Sequence, residues 1–311
     1  MSWIGGKKPI LGIQPPYGLL HLSPYLKKMG HSVFVFDGLI SSKEFLMKTI
    51  KKEKIELVGI SSVTWNWNAA KQLASFLKND FPDIKLAIGG AHANGVRSSV
   101  LKECIYFDYA FYGDGEETFP KLVNSLSCNK EPEPMNGFAY RKNGEIIAAQ
   151  ESAIVKDINN VLFPDRESLG FDNYRPSPLF YRKLPFTAVF GARGCPYRCT
   201  FCHTVNRVRL RDPENIIEEI VMLQEKHGIR EITFYDDTFT LNKKRVFRLC
   251  ELILEKNINI SWSASVRVDT ISSEMLTVMK KAGCWRLLLG IESGSQRLLD
   301  KVKKGITLEQ I

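Results

Sequence analysis

Short apolar runs alternate with amphipathic stretches along most of the chain, and few folds accept that order. In the first half the predicted strands are Pro9 to Gln14, Val33 to Asp37, Leu57 to Ser61, Lys85 to Ile88 and Tyr109 to Tyr112. Helical spacing fills the gaps: a helix ending near Met29-Gly30, where Gly30 suits the C′ position, then Lys43 to Lys52, Asn68 to Asn79 and Thr118 to Leu126. A run that is apolar throughout, such as Val33 to Asp37, has the character of a buried parallel strand. Strand–helix alternation of this kind predicts an α/β fold built on a doubly wound parallel sheet, whose ligands bind over the carboxyl ends of the strands.

The second half repeats the alternation. Strands are expected at Thr187 to Gly191, Glu231 to Tyr235, Ile260 to Val266 and Arg286 to Ile291. A helix starts at Asp212-Pro213, with Asp212 as N-cap and Pro213 at N1, and Ile216, Ile217, Ile220 and Leu223 then recur at helical spacing. Further helices are expected over Val246 to Leu254, Met275 to Lys281 and Gln296 to Lys303. This is a (β/α) barrel pattern, which also places functional residues at strand carboxyl ends. Between the halves the pattern breaks. Glu131-Pro132-Glu133-Pro134 is a breaker cluster, and Asn143-Gly144 is the turn of a β-hairpin. The Phe163-Pro164-Asp165-Arg166 and Arg175-Pro176-Ser177-Pro178 steps are irregular. The expected organisation is a domain over 1–127, a connector without chemistry over 128–183 that packs on both neighbours, and a second domain over 184–311.

At 311 residues the chain can bury one large core or two ordinary ones. No apolar run approaches the ~20 residues that span a bilayer, and Met1 to Lys8 is too short and interrupted for a signal peptide. A cytoplasmic protein is expected. The net charge of +9 permits anionic partners. Lysines such as Lys48, Lys51, Lys52 and Lys54 read as solvated helix faces, however, and no nucleic-acid motif accompanies them. A small-molecule substrate is preferred over nucleic acid.

The chain has seven cysteines, an odd number, and three of them share one loop: Gly194-Cys195-Pro196-Tyr197-Arg198-Cys199-Thr200-Phe201-Cys202-His203. Thiolates suit zinc or iron–sulfur clusters. Structural zinc wants four ligands, usually with paired C-x2-C spacing, whereas here the gaps are three and two and no second pair follows. The bacterial ferredoxin run has different gaps and a fourth cysteine. Disulfides do not suit a reducing cytoplasm.

The x3, x2 spacing, with an aromatic before the last cysteine, resembles the radical S-adenosylmethionine (radical SAM) superfamily. The resemblance implies a 4Fe–4S cluster on Cys195, Cys199 and Cys202, with one iron left to chelate the methionyl end of SAM. It places Phe201 near the adenine. It also implies one-electron cleavage of SAM to a 5′-deoxyadenosyl radical. Where relatives carry a Gly-Gly-Glu-like segment for the methionyl ammonium, this chain has Asp236-Asp237 at the end of a predicted strand, and either carboxylate can accept an ammonium. Asp237 could also cap the next helix. By the same resemblance, Glu292 and Ser293 reach the ribose or methionyl group. Arg267 meets the SAM carboxylate or a substrate anion, or else forms a structural ion pair with Asp269 or Glu292. Arg193, Arg198, Arg207, Arg209 and Arg211 flank the cysteine loop, either as a solvated rim or as a field that raises the cluster potential and attracts an acidic electron donor of flavodoxin or ferredoxin type.

The first half is similar to the Rossmann-like cobalamin-binding domains that precede many radical SAM domains. The pieces that carry this are Pro15-Pro16-x-Gly18, Gly30-His31-x-Val33, Gly89-Gly90-x-His92 and Gly113-x-Gly115-Glu116. Cobalamin is therefore expected against Pro16, Gly18, Ser61, Ser62, Gly89, Gly90, His92, Gly113, Gly115 and Glu116. The D-x-H-x-x-G motif that supplies a cobalt ligand in some corrinoid domains is absent from the sequence, so no histidine from that motif holds the lower face. His21 and His31 are expected to be structural or exposed.

The resemblance implies a barrel that stops at about four of six strands, so the chain is expected to be a fragment. The leading expectation is a radical SAM enzyme that methylates an unactivated carbon with cobalamin as methyl carrier. Radical cyclisation or rearrangement on the same scaffold is the alternative, and a non-catalytic iron–sulfur or corrinoid carrier is the reading from another class. Methylthio transfer to tRNA needs three further cysteines in the first domain, where only Cys104 and Cys128 lie.

Overall fold

The computed structural model describes residues 14–174 and 176–311. They fall into two compact units: the first runs to Val155 and resumes over 161–174, and the second comprises Lys156–Asn160 and Pro176–Ile311.

The elements of the first unit are α1 (Tyr17–Lys28), α2 (Lys43–Glu53), β1 (Leu57–Ser61), α3 (Trp67–Asp80), β2 (Lys85–Gly89), α4 (Ala91–Val96), α5 (Ser99–Glu103), β3 (Tyr109–Phe111), α6 (Thr118–Ser127), β4 (Phe138–Lys142) and β5 (Glu145–Ala148). They build one sheet of order β1-β2-β3-β4-β5. The first three strands are parallel, and the hairpin adds β4 and β5 antiparallel. Asn143 and Gly144 both take positive φ at its turn, as a two-residue primed turn requires.

Alternation along the strands divides the core. Leu86, Ile88, Ala110 and Tyr112 pack with Leu46, Ile50, Ala74 and Leu77 of α2 and α3. Ala87, Tyr109, Phe111 and Phe138 pack with Leu26, Phe119 and Leu122 of α1 and α6. Both faces are thus covered, and each fully buried Leu or Ile contributes on the order of 2 kcal/mol.

No ladder is described for Val33 to Asp37 among the described residues. Pro9 to Gln14 lies outside the described residues except for Gln14.

The Pro-Asp-Arg step is anchored rather than loose. The Asp165 backbone N–H donates to the Leu20 carbonyl (2.9 Å). Its carboxylate accepts from the Ser23 hydroxyl (2.5 Å), Lys27 (2.6 Å) and the Ser168 hydroxyl (2.5 Å). Burial alone would raise the Asp165 pKa, but these donors outweigh it and hold the carboxyl below the ordinary range. A depressed carboxylate contributes stability that is present above its unfolded pKa of ~4 and is lost as pH falls through the folded value. Asp165→Asn is expected to cost about 1–2 kcal/mol at pH 7. The urea midpoints of variant and wild type should converge under strongly acid conditions. A constant gap between them would show that charge is not what Asp165 contributes.

The second unit contains β6 (Phe186–Val189), β7 (Ala192–Arg193), β8 (Arg209–Leu210), α7 (Pro213–His227), β9 (Glu231–Phe234), α8 (Lys243–Glu255), β10 (Ser261–Val266), α9 (Ser273–Lys281), β11 (Cys284–Leu289) and α10 (Gln296–Lys301). Its main sheet is all parallel, in the order β11-β10-β9-β6, the arc that a (β/α) pattern produces. Phe234, Phe239 and Trp262 form a buried aromatic cluster, with centroids 4.5–5.5 Å apart. At the amino ends of the strands, the buried Glu231 accepts from the backbone N–H groups of Arg182 and Lys183 and from Trp285 Nε1.

Asp212 stands at the N-cap of α7, but its side chain makes no capping bond. Its own backbone N–H donates instead to Asn159 Oδ1 (2.7 Å). No helix among the described residues is long and apolar enough to cross a membrane.

Candidate functional site

The cysteine loop leaves the carboxyl end of β6 and is closed at its base by the antiparallel β7–β8 ladder, which pairs Ala192 with Leu210 and Arg193 with Arg209. Strands this short give no periodicity to read from sequence. Gly194 opens the loop with φ +87°, and a Cβ there would lie 2.3 Å from the Arg207 carbonyl oxygen, so only glycine lets the returning chain pass so close. The loop is then held by its backbone. The Cys195 N–H donates to the Val205 carbonyl, Cys202 to the Cys199 carbonyl, and Thr200 to the Val302 carbonyl beyond α10, each at 3.0 Å. None of the three cysteines is in a disulfide, and Cys202 is exposed. Hydroxyls stand near two of the sulfurs: Thr238 Oγ1 is 3.9 Å from Cys195 Sγ and Thr204 Oγ1 is 3.1 Å from Cys202 Sγ.

The two aspartates after β9 separate. Asp236 is buried; its Oδ1 accepts the Gly191 N–H (2.6 Å) and its Oδ2 lies 3.3 Å from the buried Arg245 guanidinium. Burial pushes this carboxyl above the ordinary range, against the pull of Arg245 and the backbone donors of Gly191 and Ala192. Gly191 is glycine because a Cβ would sit 2.2 Å from Arg245 Nη2. Asp237 is exposed and lies 3.4 Å from the Thr204 hydroxyl on the cysteine loop. Of the pair, only Asp237 faces solvent beside the cysteines.

Arg267, also buried, takes the structural option. It forms a two-pronged ion pair with Asp269 (2.9 and 3.0 Å), donates to the Lys304 carbonyl (2.8 Å) and lies 3.5 Å from the centroid of the Tyr197 ring. Glu292 has φ +69° and accepts from the buried Lys304 amine (2.9 Å). Ser293 Oγ accepts the Ser295 N–H (3.1 Å). Phe201 is 56% exposed on the loop. The arginines around the loop do not form a uniform rim. Arg209 and Arg211 are buried, Arg211 pairing with Glu219 at 2.5 Å, and only Arg198 and Arg207 are exposed. Sequence reasoning missed the Arg267–Tyr197 stack and the anchoring by Val302 and Lys304, because those partners lie far apart along the chain.

In the first unit the expected residues sit at or near the carboxyl ends of β1, β2 and β3 and at the start of α1. Several of their glycines answer to the chain itself. A Cβ at Gly90 would lie 2.6 Å from the Ser62 carbonyl oxygen, and one at Gly113 would lie 2.1 Å from the Ala153 carbonyl oxygen. Gly115 abuts Leu22, while Gly89 makes only ordinary contact with Phe111. Ser62 is buried and its hydroxyl lies 2.9 Å from Asn66 Oδ1. Glu116 is buried and engaged. His92 is buried beneath Trp67, with ring centroids 4.6 Å apart; its Nδ1 is 3.3 Å from Thr64 Oγ1 and its Nε2 is 3.7 Å from Glu103, which Trp67 also bonds. It is packed rather than presented. Openness remains at Pro16-Tyr17-Gly18, where a Cβ on Gly18 would touch nothing, and at the exposed Ser61 and Trp65.

Three thiols outside any disulfide, on one loop with backbone support, are the donor set that a cluster requires. Among the described residues no three His, Cys, Asp or Glu side chains gather tightly enough to share a single metal ion. The loop supplies the soft thiol donors that an iron–sulfur cluster takes. Gly18 and Ser61 are open positions in the first unit, whereas Gly90, Gly113 and His92 are engaged by the chain itself.

The family model described as the radical SAM superfamily matches residues 189–311, and the B12 binding domain model matches residues 8–123. An uncharacterized methyltransferase of Pyrococcus horikoshii, PH0819, is 34% identical over 95% of this chain and 64% of its own length. The anaerobic magnesium-protoporphyrin IX monomethyl ester cyclase of Rubrivivax gelatinosus is 28% identical over 99% of this chain and 57% of its own. The chain therefore spans a little over half the length of these relatives. Among solved structures, the cobalamin-dependent SAM radical enzyme OxsB, with aqua-cobalamin and SAM bound, superposes with a TM-score of 0.79 at 20% identity. It covers 97% of this chain and 44% of that one. The radical SAM methyltransferase TsrM from Kitasatospora setae gives 0.74 at 16% identity, over 95% and 61%.

Proposed function

The chain belongs to the radical SAM superfamily and carries a B12-binding domain ahead of the radical SAM domain, and from that premise we propose that it serves cobalamin-dependent methyl transfer to an unactivated carbon of a small molecule. The observation that most supports this is the cysteine loop at the carboxyl end of β6, held by backbone bonds with its thiols outside any disulfide. Cys195, Cys199 and Cys202 would hold a 4Fe–4S cluster. Bound there, the cluster would supply one-electron cleavage of SAM, and cobalamin held by the first unit would carry the methyl group.

The chain's own groups have distinct tasks. Asp237, exposed beside the loop, would accept the methionyl ammonium. Phe201 would pack on the adenine, and Ser293 would reach the ribose. Glu292 would join them only by sharing its bond to Lys304. Asp236 and Arg267 hold the frame on which these groups sit. Exposed Arg198 and Arg207 would draw an acidic electron donor of flavodoxin or ferredoxin type. Pro16, Gly18 and Ser61 would line the corrin, together with the backbone of Ser62, Gly89 and Gly115.

The cyclase relatives favour radical cyclisation as a second reading. One experiment separates them. Anaerobic protein reconstituted with iron, sulfide and cobalamin is reduced with dithionite in the presence of SAM. Both readings require 5′-deoxyadenosine, and methyl transfer also yields S-adenosylhomocysteine. Absence of 5′-deoxyadenosine would leave only a carrier.

A further inference from the structure

The cysteine loop rests on a cation that belongs to the strand opposite. The Arg267 guanidinium, at the end of β10, lies 3.5 Å from the centroid of Tyr197, which stands between Cys195 and Cys199. A stack that close to the ring face is a strong cation–π contact when it is shielded from water, and Arg267 is only 4% exposed. The guanidinium is held from two other sides. Asp269 takes two of its N–H groups, and the Lys304 carbonyl takes another. The 302–304 segment also holds the loop directly, through the Thr200 N–H on the Val302 carbonyl. The loop is therefore pinned to a rigid, buried fork rather than to a flexible surface side chain.

We propose that Arg267 and Tyr197 are positioning residues for the iron–sulfur site: the guanidinium fixes the ring, the ring fixes the spacing of Cys195 and Cys199, and the buried positive charge tunes the cluster. Arg267 is thereby assigned to the cluster loop and not to the SAM carboxylate. The proposal rests on the cluster assignment above. A nearby cation favours the reduced cluster, and the groups behind metal ligands set both affinity and potential. Tyr197→Leu removes the stacking face while leaving the Arg267–Asp269 pair and the Lys304 bond untouched, so the fold should survive. Arg267→Lys keeps the charge but loses the fork.

The test compares wild type, Tyr197→Leu, Tyr197→Phe and Arg267→Lys after anaerobic reconstitution, with far-ultraviolet circular dichroism to establish that each is folded. The readouts are iron retained against a chelator, the midpoint potential of the cluster and the g-values of its reduced form. Tyr197→Leu and Arg267→Lys should hold the cluster about tenfold more weakly, with shifted potential and g-values, and Tyr197→Phe, which keeps the ring face and loses only the hydroxyl that Arg267 also bonds, should lie much closer to wild type. A folded Tyr197→Leu protein with wild-type retention, potential and g-values overturns the proposal. So does a Tyr197→Phe variant shifted as far as Tyr197→Leu, since the ring face would then not be what acts. Failure of the wild type to take up any cluster overturns the functional reading itself, which is a separate result.

Discussion

Asp236→Ala is expected to destabilise the second unit by about 3–5 kcal/mol, the cost of breaking a buried ion pair from one side. The substitution leaves the Arg245 guanidinium buried without its carboxylate and the Gly191 N–H without its acceptor. Arg245 cannot turn outward to water, because its other N–H groups bond the carbonyls of Arg211 and Phe239. Against a typical total of 5–15 kcal/mol, such a loss consumes a large share of the stability. Asp237→Ala should behave in the opposite way. Its side chain is exposed and accepts from the Gly194 N–H and the Thr204 hydroxyl, so it should cost about 1 kcal/mol while weakening SAM binding. Chemical denaturation followed by the fluorescence of the buried Trp262, alongside SAM titration of the reconstituted protein, separates the two. An Asp236→Ala protein within 1 kcal/mol of wild type would mean that the pair with Arg245 is not what holds this corner. Gly191→Ala offers an independent check, because its Cβ would press on the same guanidinium.

That divergence between neighbours shows what a sequence can carry. Strand–helix alternation was legible because short runs of strand character, such as Leu57–Ser61 and Lys85–Gly89, alternate with stretches of helical spacing. The strands β1, β2, β3, β6, β9, β10 and β11 fall close to where the pattern puts them. The division of labour in Asp236-Asp237 was not legible from parity: Asp236 follows the buried Ile232 and Phe234, but Asp237 follows Glu231 and Thr233, which are buried too. Strand-end glycines are harder. A glycine that admits a ligand and one that admits another stretch of chain look alike in sequence, and only the fold shows Ser62 against Gly90 and Ala153 against Gly113. The anchor of the cysteine loop was invisible because Tyr197, Arg267 and Lys304 become neighbours only after three βα units have formed.

Cys199→Ala is expected to reduce SAM cleavage to the uncatalysed background and to strip the iron–sulfur absorbance, while leaving the protein folded. The argument is that the loop's shape and its chemistry rest on different atoms. The bonds that hold it run through the main chain of Cys195, Thr200 and Cys202, and the Cys199 carbonyl that accepts the Cys202 N–H survives in alanine. The partly exposed Cys199 side chain fills no core position, so its loss should cost under ~1 kcal/mol. Two thiolates remain, too few to retain a cube whose third corner has lost its ligand. Cys128→Ala is the matched control, because this exposed thiol at the end of α6 belongs to the first unit. The comparison is made on anaerobically reconstituted proteins, by iron and sulfide content and by 5′-deoxyadenosine formed after reduction with SAM. If Cys199→Ala still produces 5′-deoxyadenosine at the wild-type rate, the cluster does not sit on this loop, and the functional reading built on it falls with that result.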